Sequence, residues 1–213
     1  MSSLLNDVLQ EAEQGSDLWL KIRIGKFTSF EIHRLIHTKT LTDTNWKYIT
    51  EKVAENLTGE TKEFTNEATA WGIEKEPEAA NAFALKTGMI LSKCGFTIKS
   101  EYYGGSPDRL IEEDGLVEIK CPFNSANHTK HCLIKSEKEF KSECKEYYWQ
   151  IQSNLNVTDR SYAFFVSYDP RVKQCPLFIL LVKRNEKDIA ILNRCVEEGT
   201  KELKQSLDFL NSH

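Results

Sequence analysis

The sequence has no Cys-x-x-Cys pair, no apolar run of membrane-spanning length, and no internal repeat or low-complexity tract. Its six cysteines are scattered, which argues against a zinc or iron–sulfur site and favours reduced thiols. The first ten residues lack the basic and apolar regions of a signal peptide. We therefore expect a cytoplasmic protein that does not bind a membrane.

The sequence also lacks an excess of positive charge. Its 28 Lys and Arg residues face 32 Asp and Glu residues, giving a net charge of −4. The net charge therefore does not indicate bulk electrostatic attraction to nucleic acid, and any such binding must come from a local basic surface. With 40% hydrophobic and 28% charged residues, the 213-residue chain is typical of one globular domain, which we place at residues 1–213.

Hydrophobic periodicity predicts an α/β fold, with a central mixed sheet flanked by helices. Helices are predicted near residues 4–15, 29–37, 42–59, 66–86, 142–157 and 185–207. Strands are predicted near residues 96–100, 108–111, 116–121, 162–168 and 177–182. We expect Ser29 to cap the second helix and Pro77 to bend or restart the fourth.

Residues 104–123, GGSPDRLIEEDGLVEIKCPF, predict a β-hairpin that carries two acids and a lysine. Because strand side chains alternate between faces, Glu118 and Lys120 are neighbours, and Asp108 on the partner strand can lie beside them. Two adjacent carboxylates need a cation or a shared proton. The alternative is a weak surface ion pair, but the apolar residues around Glu118 indicate an interior strand.

Two acids and a lysine suit metal-dependent hydrolysis of a phosphodiester. Mg²⁺ or Mn²⁺ held by carboxylates activates a water and offsets the negative charge of the transition state. Lys120 can orient or deprotonate that water or hold the phosphate. The hairpin therefore favours a metal-dependent nuclease.

Two helical residues extend this candidate site. In WGIEKEPEAANAF, residues 71–83, Glu76 shares a helix face with small and aromatic residues that we expect to pack inward. Glu76 is thus either an extra metal ligand or the partner of a lysine in a salt bridge. Gln150 lies on a mostly apolar helix face and is suited to hydrogen bonds with a phosphate, a water or Lys120.

Four motifs occur in a fixed order: Gly72-x-x-x-Glu76-Pro77, Ser106-Pro107-Asp108, Glu118-Ile119-Lys120-Cys121-Pro122 and Tyr147-x-x-Gln150-x-Gln152. Together they resemble the phage lambda exonuclease, or YqaJ-like viral recombinase, family of the PD-(D/E)XK nuclease superfamily. The resemblance covers about residues 19–170. It implies a restriction-endonuclease-like core.

The resemblance also implies site roles. It implies ligands for one or two Mg²⁺ ions, for which Mn²⁺ can substitute: Asp108, Glu118, the backbone carbonyl of Ile119 and, for a second ion, Glu76. Lys120 would act on the attacking water and the scissile phosphate. Gln150 would lie beside Lys120.

Further residues are implied as DNA contacts. Arg23 matches an arginine that holds a DNA phosphate near the entering 5′ end. The serine of the family falls on Phe30, so Thr28 or Ser29 is expected to take its place. Arg109 stands where the family often has glycine, and it either alters the hairpin entry or contacts DNA.

A basic segment between the hairpin and the glutamine helix is another candidate for phosphate contacts. Its basic residues are His128, Lys130, His131, Lys135, Lys138, Lys141 and Lys145. Glutamates are interspersed among them, so the alternative is an ordinary solvated loop and helix end.

The resemblance implies a processive 5′-to-3′ exonuclease that acts on linear double-stranded DNA in the cytoplasm of a bacterial host. It would leave 3′ single-stranded tails for a single-strand annealing recombinase, and it would form a homotrimeric ring. One alternative is a structure-specific or restriction-type endonuclease with the same metal site. The other is a catalytically idle DNA-binding protein, against which the intact Asp108, Glu118 and Lys120 argue.

Overall fold

The computed structural model describes residues 14–61, 66–112 and 114–212. The apolar residues that predict the first helix, Leu4 to Ala12, lie outside them. The helices are α1 (Asp17–Arg23), a 3-10 helix (Ser29–Arg34), α2 (Asp43–Thr58), α3 (Glu67–Thr87), α4 (Ser125–Cys132), α5 (Glu137–Glu143), α6 (Lys145–Thr158) and α7 (Glu186–Asn211). The strands are β1 (Phe27–Thr28), β2 (Leu91–Ser92), β3 (Thr97–Ser100), β4 (Tyr103–Gly105), β5 (Arg109–Ile111), β6 (Gly115–Lys120), β7 (Tyr162–Tyr168) and β8 (Leu177–Lys183).

Five of the strands form a mixed sheet in the order β2-β5-β6-β7-β8. β6 and β7 are parallel, and the other neighbouring pairs are antiparallel. β1, β4 and β3 form a second, three-stranded sheet in the order β1-β4-β3. The predicted mixed α/β architecture is confirmed.

β6 lies in the middle of the five-stranded sheet and is buried on both faces. Leu116 packs into a cluster with Leu155 of α6, whereas Val117 and Ile119 pack into a cluster with Phe83 of α3. The strand alternation read from the sequence is therefore correct. It directs Glu118 towards the α6 side of the sheet.

The predicted ends of α2 and α3 follow local capping. The Thr42 and Asn45 side chains form a capping box at the start of α2, and Gly59 ends the helix at φ +69°. The Asn66 side chain caps α3. Of the two alternatives expected at Pro77, the restart of α3 is wrong, because residues on both sides of the proline stay helical, and the bend stays a prediction. The carbonyl that proline leaves unpaired belongs to Ile73, which is exposed, so water can reach it.

Two other expectations for helices are corrected. Residues 29–34 form a 3-10 helix instead of an α-helix capped by Ser29, because the Ser29 hydroxyl lies 2.8 Å from that of Ser153 in the interior. The helix expected from residue 142 begins at Lys145, because the backbone of Cys144 is not helical and separates α5 from α6.

α6 places polar side chains in the protein interior. From Gln150 to Val157 every residue of this helix is buried. The apolar members, such as Ile151 and Leu155, pack under the sheet, and the amide side chains of Gln150 and Asn154 face the buried Glu118 of β6. Within the described part of the chain, no helix combines the length and the apolar character needed to cross a bilayer.

Candidate active site

The centre of the candidate site is the carboxylate of Glu118, which is 0% exposed. Three side chains donate hydrogen bonds to it: Lys120 Nζ to Oε1 at 2.7 Å, Gln150 Nε2 to Oε1 at 2.6 Å, and Asn154 Nδ2 to Oε2 at 3.0 Å. Lys120 is two residues further along β6 and so lies on the same face. The i, i+4 spacing of Gln150 and Asn154 puts both on one face of α6.

Sequence reasoning did not identify Asn154 as a site residue. Its spacing from Gln150 was the available signal, because both occupy one face of a helix whose other members are apolar or aromatic. Gln150, predicted to bind a phosphate, a water or Lys120, instead donates to Glu118. The two amides hold both oxygens of a buried acid in a fixed orientation.

Asp108 lies beside Glu118, as the hairpin pattern predicts. Arg109 pairs with Val117 in the β5–β6 register, so Asp108 comes next to Glu118. The Asp108 carboxylate is buried and accepts a hydrogen bond from the backbone N–H of Ile119 at 2.6 Å. This bond fixes the entry of the hairpin against β6.

The electrostatics of the site are dominated by burial. The pKa of Glu118 is raised to about 8, chiefly by burial and also by the negative charge of Asp108, while Lys120 opposes the shift. Burial works to lower the pKa of Lys120, but the charges of Glu118 and Asp108 outweigh it and raise that pKa. Lys120 is therefore an ammonium donor, and one lysine does not fully compensate two acids.

Glu76, the third carboxylate, reaches the site from α3. Its Oε1 accepts a hydrogen bond from Arg109 Nη1 at 2.7 Å, and Arg109 also donates to the backbone carbonyl of Asp108. Burial raises the pKa of Glu76, Asp108 raises it further, and Arg109 opposes the shift. The salt bridge weighed as an alternative for Glu76 is thus present, with an arginine as the partner in place of a lysine.

The donor set suits a hard divalent cation. No group of three or more His, Cys, Asp or Glu side chains among residues 14–61, 66–112 and 114–212 is arranged to hold a metal ion. However, Asp108 and Glu118 are adjacent oxygen donors of the kind that Mg²⁺ prefers. Glu118 is also a buried acid whose charge is incompletely compensated. A cation beside these two acids would supply the missing compensation.

The family profile described as YqaJ-like viral recombinase domain matches residues 18–161 of the 213. The chain belongs to this family. A curated relative from Escherichia coli (strain K12), ExoD, is 31% identical over 68 residues, which is 32% of this chain and 78% of ExoD.

Solved structures extend the likeness to nearly the whole chain. The alkaline exonuclease LHK-Exo from Laribacter hongkongensis superposes with a TM-score of 0.81 at 28% identity, over 92% of this chain and 97% of that protein. Its structure in complex with dAMP gives a TM-score of 0.81 at 29% identity, with the same coverage. A phage related exonuclease from Haemophilus somnus 129PT shares the fold, with a TM-score of 0.72 at 19% identity over 87% of this chain and 96% of that one.

These matches confirm two predictions from the sequence. The family is the YqaJ-like one, and the fold is the PD-(D/E)XK fold of phage-type exonucleases. Family membership and the likeness to LHK-Exo together support a nuclease.

Arg23, Thr28 and Ser29 are the DNA contacts that the resemblance predicts, and they stay predictions. The Arg23 guanidinium stacks on the Trp19 ring, 3.8 Å from its centroid. Burial lowers the pKa of Arg23, and in the described part of the chain no carboxylate forms an ion pair with it. Its positive charge is therefore available to a ligand.

By contrast, Thr28 and Ser29 are buried, and Ser29 is hydrogen-bonded to Ser153, so neither presents an exposed hydroxyl to a phosphate.

The basic segment is only partly a surface feature. His128 and His131 are buried, and the Nδ1 atoms of both lie 2.8 Å from the Ser167 hydroxyl, so their assignment to a phosphate-tracking surface is wrong. Lys130 is exposed and lies 3.2 Å from a glutamate carboxylate, while Lys135 is exposed. These two lysines remain candidate phosphate contacts.

Proposed function

We propose that this protein is a metal-dependent exonuclease that degrades one strand of linear double-stranded DNA from its 5′ end. The observation that carries the proposal is the convergence of Lys120, Gln150 and Asn154 on the buried Glu118, beside Asp108. The likeness to LHK-Exo, an exonuclease whose structure with dAMP is known, supports DNA as the substrate.

The metal site in this proposal is built from oxygen donors of β6 and the residue before β5. Asp108, Glu118 and the carbonyl of Ile119 would hold Mg²⁺ or Mn²⁺, and Glu76 would complete a second position if released from Arg109. When bound, the ion supplies an activated water and offsets charge on the phosphoryl group.

The residues of the chain have separate roles around that site. Gln150 and Asn154 fix the rotamer of Glu118. Residues that orient a metal-binding side chain in this way raise the affinity of the site for the metal. Lys120, held at 2.7 Å from Glu118, would donate to the scissile phosphate or orient the attacking water. Arg23, Lys130 and Lys135 would contact backbone phosphates outside the centre.

The biological setting follows from the family. We infer a role in phage-type recombination in the cytoplasm of a bacterial host, where the 3′ tails left by digestion would be passed to a single-strand annealing recombinase. A homotrimeric ring around the duplex would make digestion processive, because the enzyme could not leave the DNA sideways.

End-labelled linear duplex and closed circular duplex, each digested with Mg²⁺ and with a chelator, test the proposal. We expect Mg²⁺-dependent release of label from the 5′ end of the linear duplex and no cutting of the circle. Cutting of the circle would indicate the endonuclease alternative. Binding of DNA with no cleavage of either substrate would indicate an idle DNA-binding protein.

A further inference from the structure

A cavity of about 390 Å³ lies beside Lys120, between the 3-10 helix and the start of α6. Its volume is within the range of sites that bind a small ligand. Phe30 and His33 of the 3-10 helix line one side, and Tyr147 and Gln150 of α6 line the other. Because Lys120 and Gln150 both contact Glu118, the cavity is continuous with the candidate active site.

Phe30 is the unusual member of this wall. Its side chain is 60% exposed, although its neighbours Ser29 and Ile32 in the same 3-10 helix are buried. The Lys120 Nζ lies 5.9 Å from the centroid of the Phe30 ring and 5.2 Å from that of Tyr147. Two aromatic rings therefore flank the ammonium group, and the Phe30 ring remains open to a ligand.

The charges around the cavity disfavour a phosphate inside it. Glu31 and Glu146 line it, and Arg34 is already paired at 2.7 Å with Glu31 and at 2.7 Å with Glu51. Apart from Lys120, which is already bonded to Glu118, a phosphate in the cavity would meet two acids and an arginine that is already paired. An uncharged flat ring would not meet the repulsion of the two acids.

The polar character of the wall is limited but specific. His33 has a buried Nδ1 for which the described residues supply no hydrogen-bond partner. Burial also lowers the pKa of His33, which favours the neutral imidazole. A ligand in this cavity is thus expected to be aromatic, uncharged and able to form a few hydrogen bonds, as a nucleobase is.

We propose that this cavity binds the base of the 5′-terminal nucleotide, stacked on Phe30, while the scissile phosphate lies at Lys120. The proposal rests on the exonuclease function and adds to it a subsite that holds one base. Stacking on an aromatic ring tolerates every base, because each has a flat face. Phe30 is therefore expected to position the terminal nucleotide without selecting its sequence.

Substrates with a missing base test this subsite. Three linear duplexes are compared: an intact one, one with a tetrahydrofuran abasic unit as the 5′-terminal nucleotide, and one with that unit at the eighth nucleotide. The single-turnover rate of the first cleavage is measured. In the unchanged protein we expect the terminal abasic duplex to react about 5- to 150-fold more slowly than the intact one, in line with stacking energies per base. The duplex with the internal abasic unit should react like the intact one.

Variants of Phe30 complete the experiment. Phe30→Ala should cleave the intact and the terminal abasic duplex at the same reduced rate, and Phe30→Trp should restore the discrimination. Equal rates for the two duplexes in the unchanged protein, or full discrimination in Phe30→Ala, would overturn the proposal. Discrimination at the eighth nucleotide alone would overturn its assignment to the terminal base.

A binding measurement separates this proposal from the proposed function. A duplex with 2-aminopurine as its 5′-terminal base is titrated with protein in the presence of a chelator, so that no cleavage is needed. Stacking on Phe30 should quench its fluorescence, and Phe30→Ala should bind with the quench abolished. Equal quenching by both proteins would refute the subsite even if the enzyme cleaves DNA. A protein that quenches but never cleaves would refute the nuclease instead.

Discussion

Arg109 and Glu76 form an ion pair at the edge of the candidate site, with Arg109 Nη1 2.7 Å from Glu76 Oε1. The same guanidinium donates to the backbone carbonyl of Asp108. Arg109 therefore places its positive charge beside two acids and engages one carboxylate oxygen of Glu76, the residue proposed to hold a second metal ion. Arg109, predicted either to alter the hairpin entry or to contact DNA, is bonded at the hairpin entry, and both roles stay predictions.

Calorimetric titration with Mn²⁺ tests the consequence of this pair. We expect one ion per chain in the unchanged protein, because Glu76 is held by Arg109. Arg109→Gly should free Glu76 and raise the stoichiometry to two, and the double variant Arg109→Gly/Glu76→Ala should return it to one. If the unchanged protein binds two Mn²⁺ ions per chain and Glu76→Ala binds one, the metal breaks the Arg109–Glu76 ion pair, and the expectation of one ion is contradicted.

The amide donors of α6 lead to a prediction for metal affinity. Asn154→Ala leaves Oε2 of Glu118 without its donor, and loss of such an orienting residue typically costs about 10- to 100-fold in affinity. Gln152→Ala is the matched control on the same helix, because Gln152 bonds the backbone of Lys183 and Asn185 away from the site.

The control should lose stability by about 1 kcal/mol, since it removes hydrogen bonds to two partly buried backbone groups, and should keep its affinity for Mn²⁺. Dissociation constants for Mn²⁺ and urea unfolding of both variants give the comparison. Equal affinities in Asn154→Ala and the unchanged protein would remove Asn154 from the site.

The lowered pKa of the buried His131 leads to a prediction of how the free energy of unfolding depends on pH. Burial, followed by the nearby His128, lowers the pKa of His131 to about 4, from about 6.5 in an unfolded chain. The unfolded state thus binds the proton more readily, so the contribution of this group is fully present above pH 6.5 and is lost as pH falls towards 4.

Urea unfolding at a series of pH values measures this effect. Between pH 7 and pH 4 the unchanged protein should lose up to about 3 kcal/mol more stability than His131→Gln does. Parallel curves for the two proteins would show that His131 is protonated without cost in the folded state.

The proposed ring predicts both a mass and a mode of digestion. Light scattering should give three times the mass of a single chain. After excess unlabelled competitor is added, enzyme already on a labelled duplex should continue to digest it. A monomer that stops at once on addition of competitor would refute the ring without refuting the nuclease.

The parts of the site that follow from local periodicity could be predicted from sequence. The alternation of β6 places Glu118 and Lys120 on one face, and the turn before Gly115 brings Asp108 beside them. The caps at Thr42 and Asn66 fix the starts of α2 and α3 for the same reason, since each depends on residues within one helical turn.

The remaining features depend on contacts distant in sequence. The Ser29 hydroxyl is engaged by Ser153, 124 positions away, which the pattern around residue 29 does not show. The lysines around His128 and His131 suggest a basic surface, but both histidines are buried and lie within hydrogen-bond distance of Ser167 of β7. The pairing of Arg109 with Glu76 likewise joins residues from two separate elements.

Cleavage of a 5′-labelled linear duplex by the unchanged protein and by Lys120→Ala tests the central claim most directly. With Mg²⁺ the unchanged protein should release labelled mononucleotide. Lys120→Ala should be slower by about 10²- to 10⁴-fold while still binding DNA and Mn²⁺, because the acids remain. Lys47→Ala, which removes an exposed lysine of α2, is the matched control and should cleave normally. Cleavage by Lys120→Ala at the rate of the unchanged protein would contradict a nuclease site centred on Glu118 and Lys120.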